Sequence, residues 1–544
     1  MRIAIAAATL AAACSSSQPP ATAPALVVAS PARGTTSDGN AISVAGTATG
    51  GSGALAVTVN GTQVTPAPDG SWTTVVTVPA GLSLLETHAI DRAGHDVRDV
   101  RAVLAGPLAA TDGSQESPIA VHASPAALTA IGNAMAHAAE GIDFTSAAQG
   151  FNPIYDNGGC LGATIDITSV SIGSIDAALA GKSGALATTV TLSNVTVKLH
   201  ASYKVACLGG STTITVSAQT ATVEGDLFVA VENGALATSL PDPSVTLAGF
   251  DLQVSGVPSE IVDLFNSQVR GGVQNALAGM LKSKVPPLAN AQLAGLFAKP
   301  YSVTVLGHQA KVSIAPATVA LGGSGLDASA QTKLVVPDGA GGTFAPLAAQ
   351  LPATAMAHAQ GLGIALAADL VNELLGGLWA AKALDVSVPT SKMAVVASLL
   401  DADAATLDVS LDLPPMVTTT SDGQLQLAIG DAEIVVRDSS GAELQRVALS
   451  VTTTLVAGPS QGKLVLTVGQ PTVYADVIDQ DANAARPLTD DQVQGIVTGA
   501  WGLVSVQANT ALANLPMPTL AGISFGAPTI TGDAGFVAAD LPVQ

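Results

Sequence analysis

The segment Pro258–Ala294, PSEIVDLFNSQVRGGVQNALAGMLKSKVPPLANAQLA, carries a helical pattern of apolar residues. This spacing predicts an amphipathic helix of roughly six to seven turns at ~3.6 residues per turn. Pro258 suits its first turn, and Pro286-Pro287 is expected to end it. Because the flanking sequence alternates as β-strands do, the helix is expected to bury one face against a sheet. The residues of that face are Ile261, Phe265, Val269, Val273, Leu277 and Leu281.

Composition limits the classes of function. The 544 residues allow about three or four domains. Aromatic residues are only 3% of the chain, so any core or cavity is expected to be lined mainly by aliphatic side chains. A net charge of −21 argues against nucleic acid as a partner and against docking on anionic lipid through a basic patch. After the N-terminus no uncharged apolar run reaches about 18 residues, so no membrane-spanning helix is expected.

The first 24 residues have the composition of an export signal followed by a polar tether. Arg2 precedes an apolar run, Ile3–Ala13, and small residues precede Cys14. The Ala-Ala-Cys ending resembles the lipobox of bacterial lipoproteins, which predicts a lipidated Cys14 that anchors the protein to a membrane. Ser15 favours the outer membrane, on either its periplasmic or its surface-exposed side. An ordinary signal peptide with an incidental cysteine is the alternative.

Cys160 and Cys207 are the other two cysteines. An even pair in an exported protein predicts a disulfide. It would close a 47-residue loop, a constraint worth ~4 kcal/mol in the chain-entropy model. Free buried thiols are the alternative, and without clustered histidines the pair does not predict a zinc site.

Residues 25–106 alternate in short strands separated by turn sequences. Asn60-Gly61 predicts a tight hairpin, and Asp69-Gly70 predicts a turn before Trp72. These features predict a small β-sandwich. The run VTVNGTQVTPAPDGSWTTVVTVPAG, followed by AIDRAGH, is similar to bacterial immunoglobulin-like modules, which implies a spacer or adhesion unit. A linker is predicted at 107–118.

The remaining sequence predicts two similar modules, at 119–299 and 351–544, with connecting strands at 300–350. Each has a strand, a short helix, a series of strands and a long amphipathic helix before prolines. Ser124-Pro125 is expected to start the first short helix, and Thr489 with Gln492 forms a capping box for the last helix. A one-residue slip of the apolar pattern at Ser193-Asn194 predicts a β-bulge.

The second part of the chain resembles the tubular lipid-binding family of bactericidal/permeability-increasing protein, lipopolysaccharide-binding protein and cholesteryl-ester transfer protein. The resemblance is carried by VTLSNVTVKLHASYKV, VPSEIVDLFNSQVRGGVQNALAGML, ATVALGGSGLDASAQTKL, GLGIALAADLVNELLGGLWAAKAL and NTALANLPMPTLAGISFGAPTITGDAGFVAADLPV. It implies an α+β fold with two barrels joined by a central sheet. Each barrel would be a twisted antiparallel sheet wrapped round a long helix, with acyl chains of a phospholipid held between them.

Two apolar pockets are therefore expected, and for every residue in them the alternative is an ordinary core position. The residues expected to contact lipid are Leu128, Ile131, Met135, Ile261, Phe265, Val269 and Val273 in the first pocket, and Leu370, Leu374, Leu378, Val493, Ile496, Val497 and Val504 in the second.

Patterns for catalysis and metal binding are weak. Ser324 lacks the glycine spacing of a nucleophile elbow. Asp479, Asp481, Asn483 and Asp490 partly match a calcium loop but lack its central glycine, so capping of the following helix is the favoured interpretation. No catalytic residue, cofactor or metal is expected.

The sequence thus predicts a non-enzymatic envelope lipoprotein that binds, or transfers, phospholipid or another acyl lipid. Its membrane contact would be the lipidated Cys14, and no nucleic acid is expected as a partner. One alternative is an adhesion or interaction scaffold with solidly packed barrels. Another is an esterase or lipase, which would need a base within reach of a nucleophilic serine.

Overall fold

A computed structural model describes the chain from residue 23 onwards with several gaps. Cys14 and most of the predicted tether lie outside the described residues. The described residues are 23–254, 259–297, 301–347, 359–392, 400, 403–419, 425–460, 463–480, 486, 488–512, 523–526, 529–533 and 535–544.

The N-terminal module is a β-sandwich of a three-stranded sheet, β1-β3-β6, and a five-stranded sheet, β2-β8-β7-β4-β5. Its core is built around buried Trp72 and Val44. Asn60 and Gly61 both have positive φ (47° and 74°), which is what a two-residue type I′ hairpin needs. The strands are β1 (Pro24–Ser30), β2 (Thr35–Ser37), β3 (Ala41–Gly50), β4 (Ala56–Val59), β5 (Thr62–Val64), β6 (Ser71–Thr77), β7 (Gly81–Ile90) and β8 (Asp96–Ala105).

The segment after this module is largely strand, in contrast with the linker predicted there. It contains β9 (Ala109–Ala110) and β10 (Ser114–Ala123). Helix α1 (Pro125–Ala139) follows at once, and the Ser124 hydroxyl caps it by accepting the N–H of Ala127. A second short helix, α2 (Phe144–Gln149), is capped by Asp143 and was not predicted.

The first barrel is a curled antiparallel sheet dominated by two very long strands. At ~3.3 Å per residue, β14 and β15 extend for on the order of 70 to 80 Å. The strands are β11 (Tyr155–Asn157), β12 (Leu161–Ser171), β13 (Ser174–Lys182), β14 (Ala185–Val205), β15 (Leu208–Glu232), β16 (Ala235–Ser239), β17 (Ser244–Ala248) and β18 (Asp251–Val254).

The apolar pattern slips by one residue in β14, as predicted, but without a β-bulge against β15. Val190, Leu192, Val195 and Val197 are buried, so the alternation changes at Ser193-Asn194. The pairing of β14 with β15 keeps one register across this point. Asn194 has a positive φ of 52°, and the buried set of β15 slips at the same level. Both strands therefore change their buried face at the same level and stay in register. A β-bulge would instead place an extra residue in only one of the two strands.

The long helix α3 (Ser259–Leu293) continues through Pro286-Pro287, so the predicted end was wrong. A proline inside a helix costs about 3 kcal/mol. The following turns bury Ala289, Leu293 and Leu296, and each fully buried large apolar side chain gains ~1.5–3 kcal/mol. In addition, the Thr238 hydroxyl donates to the carbonyl of Pro286 (2.8 Å). Tertiary burial thus offsets the local cost of the prolines.

After the connecting strands, the second barrel again consists of a short helix, a series of antiparallel strands and a long helix, with other strand lengths. A short 3₁₀ turn, Ala294–Leu296, follows α3, and others lie at Pro337–Gly339 and Thr390–Lys392. The elements are β19 (Tyr301–Val305), β20 (His308–Gly322), β21 (Gly325–Val335), β22 (Thr343–Phe344), β23 (Leu362–Ala367), α4 (Ala368–Ala380), β24 (Val386–Pro389), β25 (Ala404–Leu411), β26 (Met416–Thr419), β27 (Leu425–Asp438), β28 (Glu443–Ser460), β29 (Lys463–Gln480), α5 (Asp490–Leu512), β30 (Thr529–Asp533) and β31 (Phe536–Leu541).

A seven-stranded central sheet, β19-β20-β21-β10-β23-β31-β30, joins the two halves. Its middle strands β10 and β23 are antiparallel, with Val121 opposite Ile364, and each leads directly into a short helix. The strands that follow the two long helices, β21 and β31, flank this pair. The predicted duplication therefore corresponds to two halves arranged about the β10–β23 pair.

The N-terminal module docks on the second barrel through buried charges, in contrast with a free spacer. Arg33 donates to Asp431 of β27 (3.1 Å) and to Asp476 of β29 (2.8 Å). The same two carboxylates accept the backbone N–H groups of Ala102 and Val100 on β8, each at 3.0 Å. Because β2 pairs with β8 only from Val103 onwards, the two carboxylates complete the hydrogen bonding of an open strand edge.

A β-bulge in β27 aims Asp431 at the module. The register of β27 shifts between Ile429 and Ala432, and Asp431 has a positive φ of 45°. Burial raises the pKa of Asp431 and also that of Asp476, the latter to about 6, although Arg33 acts in the opposite direction on both. Beside the charges, apolar residues of both domains form one cluster: Leu82, Ala102, Leu104, Ala345, Leu413, Met416 and Ala428.

The predicted disulfide is confirmed. Cys160 and Cys207 join the residue before β12 to the turn between β14 and β15, with a sequence separation of 47. The Cys207 N–H also donates to the Cys160 carbonyl (3.0 Å). The bond therefore closes the end of the β12–β14–β15 sheet.

Replacing both cysteines by serine is expected to lower the free energy of unfolding of the first barrel by about 4 kcal/mol, because the unfolded chain regains the entropy of the open loop. Urea unfolding of wild type and variant measures this difference. Dithiothreitol should shift the wild-type transition and leave the variant unchanged. A difference below about 1 kcal/mol would contradict the entropic estimate.

Candidate functional site

A cavity lies in the first barrel between the helices and the sheet. Its walls come from α1, the α1–α2 connection, α2, the hairpin of β13 and β14, and the C-terminal half of α3. All but one of the lining side chains are apolar. They are Met135, Ala136, Ala139, Ile142, Phe144, Ile175, Ala177, Val190, Leu192, Leu281, Lys284, Val285 and Leu288.

The cavity is narrow inside and partly open to solvent. Its volume is ≈ 20 Å³, measured as the space open to the centre of a water-sized sphere, and one water molecule needs about 10–15 Å³ on this measure. Including the solvent-open space of its mouth, the non-atom volume is ≈ 380 Å³. The interior therefore has no room for an acyl chain until the elements around it separate.

Close packing of α1 on β13 places its apolar face at the cavity. A Cβ at Gly132 would lie 2.5 Å from the Ala177 carbonyl oxygen, so only glycine permits this approach. Leu128 and Ile131 are fully buried on the same side, and Met135 reaches the cavity. The N-cap at Ser124 and the glycine contact together fix the position of α1.

The structure brings together the described part of the first predicted set. Leu128, Ile131, Met135, Val269 and Val273 are buried in one core cluster. Of these, Met135 is the residue that lines the cavity. The side chains of Ile261 and Phe265 lie outside the described residues, although α3 includes both positions.

The C-terminal half of α3 supplies cavity residues that the sequence interpretation missed. Leu281, Lys284, Val285 and Leu288 all line the cavity. Leu281 belongs to the predicted apolar face, but the helix was expected to stop at Pro286. Val285 continues the four-residue spacing from Leu281 just before the prolines, and extending the helix by one turn past them would have identified Leu288.

The second predicted set is divided between different clusters. Leu370, Leu374 and Leu378 pack against the central sheet with Val312 and Leu334. The opposite side of α4, with Val371 and Leu375, faces the second barrel. Among the α5 residues, Val493 and Val497 pack in the barrel core with Trp501, whereas Ile496 packs with Leu407 and Val436. The described residues of this set therefore do not form one shared pocket, and the side chain of Val504 lies outside them.

The reason for this division is that α4 has two apolar faces. The sequence pattern shows both, but it does not show which face meets α5. Asn372 decides the orientation, since its fully buried amide accepts the N–H of Val417 (2.7 Å) and donates to the Val417 carbonyl (3.0 Å). This pair holds the Asn372 side of α4 against β26.

Polar groups that could support chemistry have other partners in the described structure. His122 contacts Asp327 through Nδ1 (2.7 Å), and the nearby Ser124 hydroxyl donates to the Gln360 carbonyl (3.0 Å). Asp490 accepts the N–H of Val477 (2.7 Å), and Thr489 and Gln492 form the predicted capping box. Among the described residues, no three His, Cys, Asp or Glu side chains are grouped as a metal site would require.

The described chain is thus a mainly β protein with an N-terminal immunoglobulin-like sandwich and two curled sheets that hold long helices. None of the helices in its described part combines the length and apolar character needed to span a membrane. Residues 24–106 match the family described as Glucodextranase, domain B. No curated protein matches the sequence.

Two solved structures are similar to parts of the fold. The crystal structure of lipopolysaccharide binding protein has 13% identity and a TM-score of 0.44, over 79% of this chain and 99% of that chain. The solution structure of latherin has 17% identity and a TM-score of 0.20, over 31% of this chain and 85% of that chain.

Proposed function

We propose that the first barrel binds an acyl lipid between α1, α3 and the β13–β14 hairpin. The observation that supports this proposal is the cavity, which has twelve apolar lining residues, one cation and an opening to solvent. An acyl chain in such a site gains about 0.8 kcal/mol per buried CH₂ group. A chain of a dozen carbons could therefore offset a substantial cost of opening.

Binding requires the walls to move, because the interior is too narrow in this structure. The connection at Ile142 and the short helix α2 form one wall, and both Ile142 and Phe144 are half-buried at the mouth. Elements with fewer buried contacts open at lower free-energy cost than the long core strands. We expect the lipid to enter by displacing this connection while α3 and the sheet stay in place.

A second candidate function, an interaction scaffold with packed barrels, is supported by the same small volume. Buried aliphatic residues of α1, α3 and the surrounding strands form one continuous core. The docked N-terminal module would then be part of a rigid surface for a partner. The two functions differ in one measurable property, which is whether lipid occupies the purified protein.

Native mass spectrometry of protein extracted from its own envelope is the direct test. Lipid binding predicts mass increments that organic extraction removes and that added lipid restores. Protein that carries no lipid and takes up none would reject lipid binding and favour the scaffold.

Filling the cavity is expected to abolish binding. Ala177→Leu places a larger side chain in the cavity, whereas the neighbouring Ala178 is exposed on the outer face of β13. We expect Ala177→Leu to lower lipid occupancy at least tenfold. Its free energy of unfolding should differ from that of the wild type by no more than about 1–3 kcal/mol. Ala178→Leu is the matched control and should bind as the wild type does. Equal occupancy in both variants would place the lipid elsewhere.

Anchoring in the outer membrane through Cys14 is a separate proposal that is supported by the sequence of residues 1–24 alone. Intact-mass measurement of the exported protein tests it. A Cys14→Ser variant should lose the mass of the acyl groups and leave the membrane fraction.

A further inference from the structure

Lys284 is the one charged side chain among the residues that line the cavity. It lies on α3 between Leu281 and Leu288 and is half-buried. A lysine in this position covers apolar surface with its alkyl stem and keeps its ammonium group towards water. The cavity therefore combines an apolar interior with one positive charge.

No carboxylate in the described part of the chain forms an ion pair with Lys284. Three acidic residues lie close in sequence to the mouth. Asp176 is exposed on the outer face of β13, opposite to the face of its neighbours Ile175 and Ala177 that line the cavity. Asp143 accepts from the backbone and hydroxyl of Ser146, and Glu140 pairs with His137 (3.5 Å). In a chain of 41 acidic and 20 basic residues, the charge of Lys284 is left available for a ligand.

The exposed fractions of the lining side chains distinguish an inner end of the cavity from an open end. Met135, Leu192, Leu281 and Val285 are no more than 4% exposed and form its inner end. The half-buried residues Ile142, Phe144, Ile175, Lys284 and Leu288 form its open end. An amphiphile that enters with its apolar tail first would bring its headgroup to the level of Lys284.

We propose that Lys284 selects an anionic single-chain amphiphile, of the fatty-acid class, by pairing with its headgroup while the tail occupies the cavity. This inference rests on the proposed lipid function. A single chain makes the smaller demand on the site, because the interior is narrow and its walls must separate to admit a tail. An ammonium group is a compact charge with three donors, which suits a carboxylate at a half-exposed site.

Calorimetric titration of delipidated protein with dodecanoate and with methyl dodecanoate tests the inference. The two ligands have the same tail and differ in headgroup charge. The wild type is expected to bind dodecanoate about tenfold more tightly, a difference of ~1.4 kcal/mol. Lys284→Met should lower dodecanoate affinity about tenfold and leave the ester unchanged. Lys282→Met, two residues away and exposed, is the matched control and should change neither affinity.

Each outcome decides between the two proposals. Equal wild-type affinity for acid and ester would overturn headgroup selection and leave lipid binding standing. Binding of neither ligand would reject both proposals. An equal loss of dodecanoate affinity in Lys282→Met would show general attraction by the two lysines at this end of α3, which also overturns a specific role for Lys284.

Discussion

Arg33→Met is expected to undock the N-terminal module at a cost of about 3–5 kcal/mol, since removing one partner of a buried ion pair leaves the other charge uncompensated. The side chains of Asp431 and Asp476 are 1% and 12% exposed, and both depend on the one guanidinium. Methionine preserves most of the length and apolar contact of the arginine stem. The loss therefore reports on the guanidinium, which compensates the two charges and also donates to the Val100 carbonyl (2.7 Å).

Hydrogen exchange at the amides of Val100 and Ala102 is the direct measurement, because these N–H groups donate to Asp476 and Asp431. Their protection should fall in Arg33→Met at pH 8. It should recover in part at pH 5, because protonation removes the uncompensated charge from carboxyls whose pKa is already raised by burial. Arg92→Met, at an exposed position of the same module, should keep wild-type protection. Unchanged protection in Arg33→Met would show that the apolar contact alone holds the module.

Glu373→Gln is expected to stabilise the protein at high pH and to have little effect at low pH. Glu373 of α4 is fully buried, and its Oε2 accepts from Gln115 (2.8 Å). Burial is the main cause that raises its pKa to about 8, and the charges of Asp112 and Asp369 add to it. The fold therefore favours the protonated acid.

The sign of the pH dependence follows from this shift. A carboxyl whose pKa is higher in the folded state contributes no penalty below its unfolded value of about 4.5, and it lowers the free energy of unfolding as the pH rises towards 8. Each unit of difference between the folded and unfolded pKa is worth about 1.36 kcal/mol. Above pH 8 the ionised Glu373 therefore lowers the free energy of unfolding by as much as about 5 kcal/mol. Glutamine imitates the protonated acid and avoids this cost.

Urea unfolding of wild type and Glu373→Gln between pH 5 and pH 9 measures the difference. The variant should gain stability relative to wild type as the pH rises, and the two should be similar at pH 5. Glu116→Gln, at an exposed position of β10, should follow the wild-type curve. If the difference in the free energy of unfolding between variant and wild type is the same at all pH values, the pKa of Glu373 does not change on folding.

Much of the secondary structure follows from local sequence. Ser124-Pro125 and Thr489 with Gln492 mark helix starts because their polar side chains satisfy backbone N–H groups within the same turn. The pairing of Cys160 with Cys207 follows from the count of cysteines in a chain predicted to be exported. The apolar face of α3 is visible in its spacing, since period alone decides which side chains share a face.

The sequence by itself therefore determined the sandwich, the two helix-bearing halves and the disulfide, all of which depend on neighbours in the chain or on residue type. Only the tertiary structure decided that α3 passes Pro286-Pro287, that α4 turns Leu370 away from α5, and that Lys284 meets the cavity. It also decided the docking of the sandwich, where Arg33 and Asp431 are separated by 398 positions. The physical reason is that burial between distant segments outweighs local preference, and no local pattern records which distant surface a residue will meet.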